Sequence, residues 1–251
     1  MLSIRCTSLG LRRCVNGCLF FWESMKRLLN YFSKFEILLW GSSLLLICIS
    51  FIIFDRSNYL SLIASIIGIT SLIFSAKGNP IGQMQMIIFS LLYGIISYSF
   101  SYYGEMITYL GMTLPMAIIA LISWLKNPYK GKKSEVKINS LDKKEYIFMS
   151  GLTLFVTIIF YLILEAFNTT NIILSTISVT TSFIAVYLTF RRSPYFALAY
   201  ATNDIVLIVL WVLASIENYT YIPVVFCFIA FLFNDLYGFI NWQKMKEKQM
   251  E

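Results

Sequence analysis

The stretch YFALAYATNDIVLIVLWVLAS, residues 195–215, decides the class of this protein. Its length matches the roughly 20 apolar residues needed to cross a bilayer as a helix. Its one charged group is Asp204, directly after Asn203. An Asp at the centre of such a helix costs about 2.5–3.5 kcal/mol on insertion scales, so it is expected to face other helices or a watery cavity, away from lipid.

The rest of the chain repeats the pattern. Of 251 residues, 58% are apolar and only 13% charged, against about a quarter charged in a soluble domain. Eight apolar spans are predicted, at 37–54, 58–76, 82–101, 105–125, 146–165, 170–190, 195–215 and 219–242. The expected fold is therefore an all-α integral membrane protein, with the bilayer as its solvent.

The lysines and arginines orient it. Six precede the first span, Lys77 follows the second, seven lie in 126–145, Arg191 and Arg192 follow the sixth span, and three close the chain. With both termini inside, nineteen of the twenty fall on the cytoplasmic side, and Arg56 alone is left outside. The outer turns then carry Asp55, Glu105, Glu165 and Glu217. The net charge of +7 thus reads as topology. No basic stripe with interleaved aromatics is present, so nucleic acid is not an expected partner.

Two stretches resemble each other. Ile66–Ile73 parallels Ile177–Ile184, Lys77-Gly-Asn-Pro80 parallels Arg191-Arg-Ser-Pro194, and Ile122-Ser-Trp124 parallels Ile240-Asn-Trp242. These matches define two three-helix units, spans 2–4 and 6–8. Span 5 joins them, so both have the same orientation, and span 1 is extra. The two tryptophans are expected in the interfacial aromatic belt. Pro115 is expected to kink span 4. By region, residues 1–24 form an N-terminal extension expected to be dispensable, with Met25 a more natural start. Residues 25–57 hold the extra helix, 58–125 the first unit, 126–169 the basic cytoplasmic loop and linker helix, 170–242 the second unit, and 243–251 a cytoplasmic tail.

Depth brings the polar residues together. Asp204 and Asn234 lie roughly 12–14 Å from the cytoplasmic boundary, at about 1.5 Å rise per residue. Helical spacing adds Tyr200 and Trp211 to the face of Asp204, and Tyr237 to that of Asn234, which Asp235 follows. Span 3 offers Gln85, Ser90 and Tyr93. Aromatic rings beside amides and carboxylates suit a polar, ring-containing ligand. The competing readings are interhelical hydrogen bonding for the Asn-Asp pairs, ordinary packing for Tyr93, Tyr200 and Trp211, and an interfacial position for Gln83 and Gln85. With no histidine and no Cys-x-x-Cys pair, neither a zinc site nor any other cofactor is expected. The five cysteines read as small apolar residues, and an intramembrane enzyme lacks its acid–base or metal groups.

The residues 82–93 (GQMQMIIFSLLY), 102–106 (YYGEM), 201–211 (ATNDIVLIVLW) and 233–242 (FNDLYGFINW) together resemble the PnuC family of bacterial vitamin transporters. The resemblance runs from about residue 25 to the end. It implies a fold like that of a full-length SWEET transporter, location in the bacterial plasma membrane, and uptake of nicotinamide riboside, with riboflavin or thiamine as the cargo of relatives. It also implies facilitated diffusion with phosphorylation inside trapping the substrate, and a homotrimer, since some members are trimers. The family's Asn-x-x-Tyr ligand motif matches Asn234 to Tyr237. Its Trp-x-x-Trp motif is not matched; Phe196 and Tyr200 lie in that neighbourhood.

Overall fold

The computed structural model describes residues 31–99, 103–169 and 171–251. Residues 1–24, Met25, Cys6, Cys14, Cys18 and Tyr102 lie outside the described residues. By its contacts the chain divides after Gly41. The described part of the N-terminal segment, residues 31–41, opens helix α1 (Lys34–Phe54). Ser33 and Glu36 cap that helix reciprocally: the Glu36 carboxylate accepts from Ser33 N (2.6 Å) and the Ser33 hydroxyl from Glu36 N (3.2 Å). Two of the helix's orphan donors are satisfied this way.

Seven further helices follow. They are α2 (Tyr59–Ala76), α3 (Pro80–Ser99), α4 (Tyr103–Lys126), α5 (Lys143–Ala166), α6 (Ile172–Phe190), α7 (Phe196–Glu217) and α8 (Ile222–Met250). Among the described residues, eight helical segments are long and apolar enough to cross a membrane. Asn58 caps α2 by accepting from Ser61 N (3.0 Å), and Asp142 caps α5 by accepting from Glu145 N (2.8 Å). Helix α8 continues to Met250, past the span end expected at 242.

From Ser42 onward the helices close a ring: α2 packs on α3, α3 on α4, α4 on α6, α6 on α7, α7 on α8, and α8 back on α2. The first unit is thus α2–α4 and the second α6–α8, in the same order around the ring. Helix α5 lies outside it on α6, exposing Ile147, Phe148, Leu154, Phe155, Ile158 and Leu162. Such a surface needs an apolar solvent.

The repeat is closest where the two units meet. The Trp124 indole donates to Thr189 O (2.9 Å), and the Trp242 indole to Ser75 O (2.8 Å). One residue earlier, Ser123 Oγ donates to Phe190 O (2.9 Å) and Asn241 Nδ2 to Ala76 O (2.8 Å). Each unit's third helix therefore bonds the end of the other unit's first helix. These tryptophans are 1% and 0% exposed. They belong to the inter-unit seam and not to the interfacial belt expected for them, because each indole N–H has a carbonyl partner inside the protein.

The turns after α2 and α6 also match. Gly78 and Arg192 hold the same repeat position with φ of 65° and 57°. Between α4 and α5, Pro128–Tyr129 pairs with Lys132–Val136 through Lys130 and Gly131, both at positive φ. Consecutive residues of that kind give the turn that fits strand twist. The strap leaving this hairpin lies across both units. Val136 N donates to Gly78 O (3.0 Å) and Asn139 N to Arg192 O (3.0 Å), so the equivalent carbonyls are capped by one segment. Gln249, near the end of α8, accepts from Ile138 N (2.8 Å) and donates to Val136 O (3.1 Å).

Helix α4 is irregular just before Pro115. Residues Thr108–Thr113 form a π turn in which Leu114 N bonds Tyr109 O. The irregularity expected at Pro115 thus lies immediately before it, where wider winding accommodates a proline that lacks an N–H.

Candidate functional site

Helices from both units place a polar and aromatic cluster where they meet. From the first unit come Phe89 and Tyr93 on α3 and Tyr109 on the π turn of α4. From the second come Asp204 and Trp211 on α7 and Phe228, Phe231 and Asp235 on α8. Tyr93 is the hub. Its ring centroid lies 4.5 Å from Tyr109, 5.4 Å from Phe89, 6.1 Å from Phe228 and 6.4 Å from Trp211. Gly68 makes room for this packing, because a Cβ there would collide with Phe231 and Phe89.

The two acids expected at one depth do meet. The carboxyl groups of Asp204 and Asp235 are within hydrogen-bonding reach of each other, and both residues are buried. Two carboxyls can hydrogen-bond only when at least one of them carries a proton, so the pair is a proton-sharing site. Oδ2 of Asp204 has no further protein partner. Asn234 is 1% exposed. Its amide nitrogen donates to Ser43 Oγ (3.0 Å) and Ala230 O (2.8 Å), while its Oδ1 has no protein partner.

Other residues expected in the site are engaged elsewhere. Asn203 Oδ1 accepts from Ser178 Oγ (3.3 Å) and Thr181 Oγ1 (2.8 Å), tying α7 to α6. Ser90, wholly buried, donates to Met86 O of its own helix (2.8 Å). Tyr200 is half-buried, its ring edge-to-face with Phe196 (6.2 Å) beside the Trp124 seam. Gln85 is half-buried with an unpartnered Oε1, and Tyr237 is half-buried on α8. Gln83, also buried, donates to Ser75 Oγ (3.3 Å).

Sequence reasoning left out Tyr109, Phe89 and Phe228, and placed Glu105 in an outer turn. Glu105 is inside the protein, 6% exposed, near the start of α4. A Tyr four residues after Glu105 was the available signal for Tyr109.

Comparison with known proteins bears on this arrangement. Residues 58–244 match the family model described as nicotinamide mononucleotide transporter. The chain is 27% identical over 201 residues to the nicotinamide riboside transporter PnuC of Neisseria mucosa, covering 78% of this chain and 76% of that protein. The chain belongs to the PnuC family. A second PnuC, from Haemophilus influenzae, is 24% identical over 192 residues, covering 76% of this chain and 82% of the relative. The crystal structure of the vitamin B3 transporter PnuC superposes with a TM-score of 0.76 at 25% identity, over 87% of this chain and 94% of that one. PnuC proteins are multi-pass membrane transporters, so this chain is read as a transporter and not as an enzyme.

Proposed function

We propose that this PnuC protein carries nicotinamide riboside across the bacterial plasma membrane by facilitated diffusion, and that phosphorylation inside the cell traps it. The observation that carries the reading is the cluster shared by both units, where the Asp204 and Asp235 carboxyls sit beside tilted and edge-to-face aromatic rings. Nicotinamide riboside is a cationic aromatic ring bearing a hydroxyl-rich sugar. Rings bind the base, the carboxylate pair its charge, and Asn234 Oδ1 a hydroxyl. Rocking of one unit against the other at the Trp124–Trp242 seam would alternate access.

The matched names differ in cargo, mononucleotide against riboside. Charge favours the riboside. The cluster is acidic, and no lysine or arginine lies between residues 196 and 242 to meet a phosphate. The basic hairpin and the α2–α3 and α6–α7 turns are assigned to the cytoplasm, with both termini, by the excess of positive charge there. A homotrimer belongs to the same proposal.

The test is competition for uptake of labelled riboside. Unlabelled riboside should displace the label, while the mononucleotide and thiamine should not. Equal displacement by the mononucleotide would overturn the choice of cargo, and displacement by thiamine alone would redirect it.

A further inference from the structure

At the end of the bundle opposite the hairpin, a cavity of about 310 Å³ opens between the start of α4, the α5–α6 turn and the end of α7. That volume is at the low end for ligand pockets, about 300–1,000 Å³, and suits a nucleoside-sized molecule. One wall is apolar, with Leu210, Leu213 and Ala214. The polar lining includes Glu105, Thr169 and Glu217, and no lysine or arginine contributes to it.

Two buried polar atoms here lack protein partners: Oε2 of Glu105 and Oγ1 of Thr169. A buried carboxylate oxygen without a partner is costly in a folded protein, so such a group calls for a ligand. The site is also shaped. Gly104 lets α4 approach the α5–α6 turn, since a Cβ there would run into Leu164 and Thr169. Glu105 lines the cavity, and Tyr109, one helical turn further along α4, belongs to the aromatic cluster. Glu217, which is exposed, adds a second carboxylate at the rim.

We propose that this cavity is a vestibule for an organic cation carrying hydroxyl groups, of nucleoside size, with Glu105 selecting its charge and Thr169 bonding a hydroxyl before the molecule reaches the midplane. The inference rests on the transport reading above and adds a second, outer subsite to it. Glu217 concentrates the cation at the mouth. Glu105 receives it where low dielectric strengthens the attraction.

The test compares two probes that differ in charge but little in size: nicotinamide riboside, a cation, and its reduced dihydro form, which is neutral. Both are measured with the full-length protein in proteoliposomes. Glu105→Gln keeps the side chain's size and removes its charge. It should raise the KM for the cationic riboside about tenfold, the scale of one charge-assisted contact. The KM for the neutral form should change less than about twofold. Glu217→Gln, at the exposed rim, should shift the same ratio in the same direction by a smaller factor, and it keeps the test open if Glu105→Gln fails to fold. Equal changes for both probes, or an unchanged ratio in the folded variants, would overturn the vestibule and leave the transport reading standing. Absence of riboside uptake by the unsubstituted protein would overturn both.

Discussion

The indole rings of Trp124 and Trp242, which close the two units of the repeat, lie 5.4 Å apart. Each donates to the carbonyl at the end of the other unit's first helix. Each of those carbonyls also accepts a backbone N–H, from Arg192 at Thr189 O and from Gly78 at Ser75 O. Replacing either indole by phenylalanine therefore removes one hydrogen bond and some volume without orphaning the acceptor. Trp124→Phe and Trp242→Phe should each cost about 1–3 kcal/mol. The losses should be similar, because the surroundings repeat. Thermal unfolding in detergent checks this, and a silent substitution on one side would contradict the equivalence.

The strap after the hairpin holds two equivalent turns by one hydrogen bond each. Asn139→Pro removes the donor to Arg192 O, and Gln249→Ala removes the side chain that fixes Ile138 and Val136. Both should speed amide hydrogen exchange at Val136 while leaving α3 and α7 protected. Gly78→Ala should be destabilising by about 1–2 kcal/mol, since φ of 65° disfavours a side chain and the new Cβ would press on Met245 and Val136.

Asn203 and Asn234 separate a packing role from a binding role. Asn203 is bonded within the second unit, so Asn203→Ala should lower stability by about 0.6–1.7 kcal/mol, as interhelical bonds in membranes do, and leave KM unchanged. Asn234→Ala should raise the KM for riboside about tenfold or more through loss of Oδ1. Stability and uptake measured on the same preparations distinguish the two, and a reversed pattern would reassign them.

For the acidic pair, Asp235→Asn keeps a donor toward Asp204 and leaves one ionisable carboxyl in place. Asp204→Asn combined with Asp235→Asn removes it. Riboside uptake should fall modestly in the single variant and by about tenfold or more in the double. Full uptake by a folded double variant would remove the pair from the cargo site.

Much of this was legible in the sequence. Eight hydrophobic stretches specify the helices, and three short matches in the same order specify the repeat. Depth put Asn203-Asp204 and Asn234-Asp235 at one level, which allowed Asp204 and Asp235 to meet without requiring it. Partners far along the chain were not legible. A tryptophan beside a lysine suits a membrane interface as well as a buried carbonyl, and Thr189 lies 65 residues from Trp124. Glu105 looked like loop because hydropathy blurs a helix end. The hairpin was hidden because Lys132–Val136, with two adjacent lysines and a glutamate, shows no alternation of apolar and polar residues. Asn203 and Asn234 look alike on paper, and only their neighbours separate them.

The proposed mode of transport is facilitated carriage of the riboside. Its most direct test is counterflow in proteoliposomes that contain no kinase, loaded with unlabelled nicotinamide riboside and given the labelled compound outside. The account predicts transient accumulation of label that an uncoupler leaves intact and that mononucleotide loaded in place of the riboside fails to support. Loss of counterflow on uncoupling, or equal counterflow with mononucleotide inside, would contradict it.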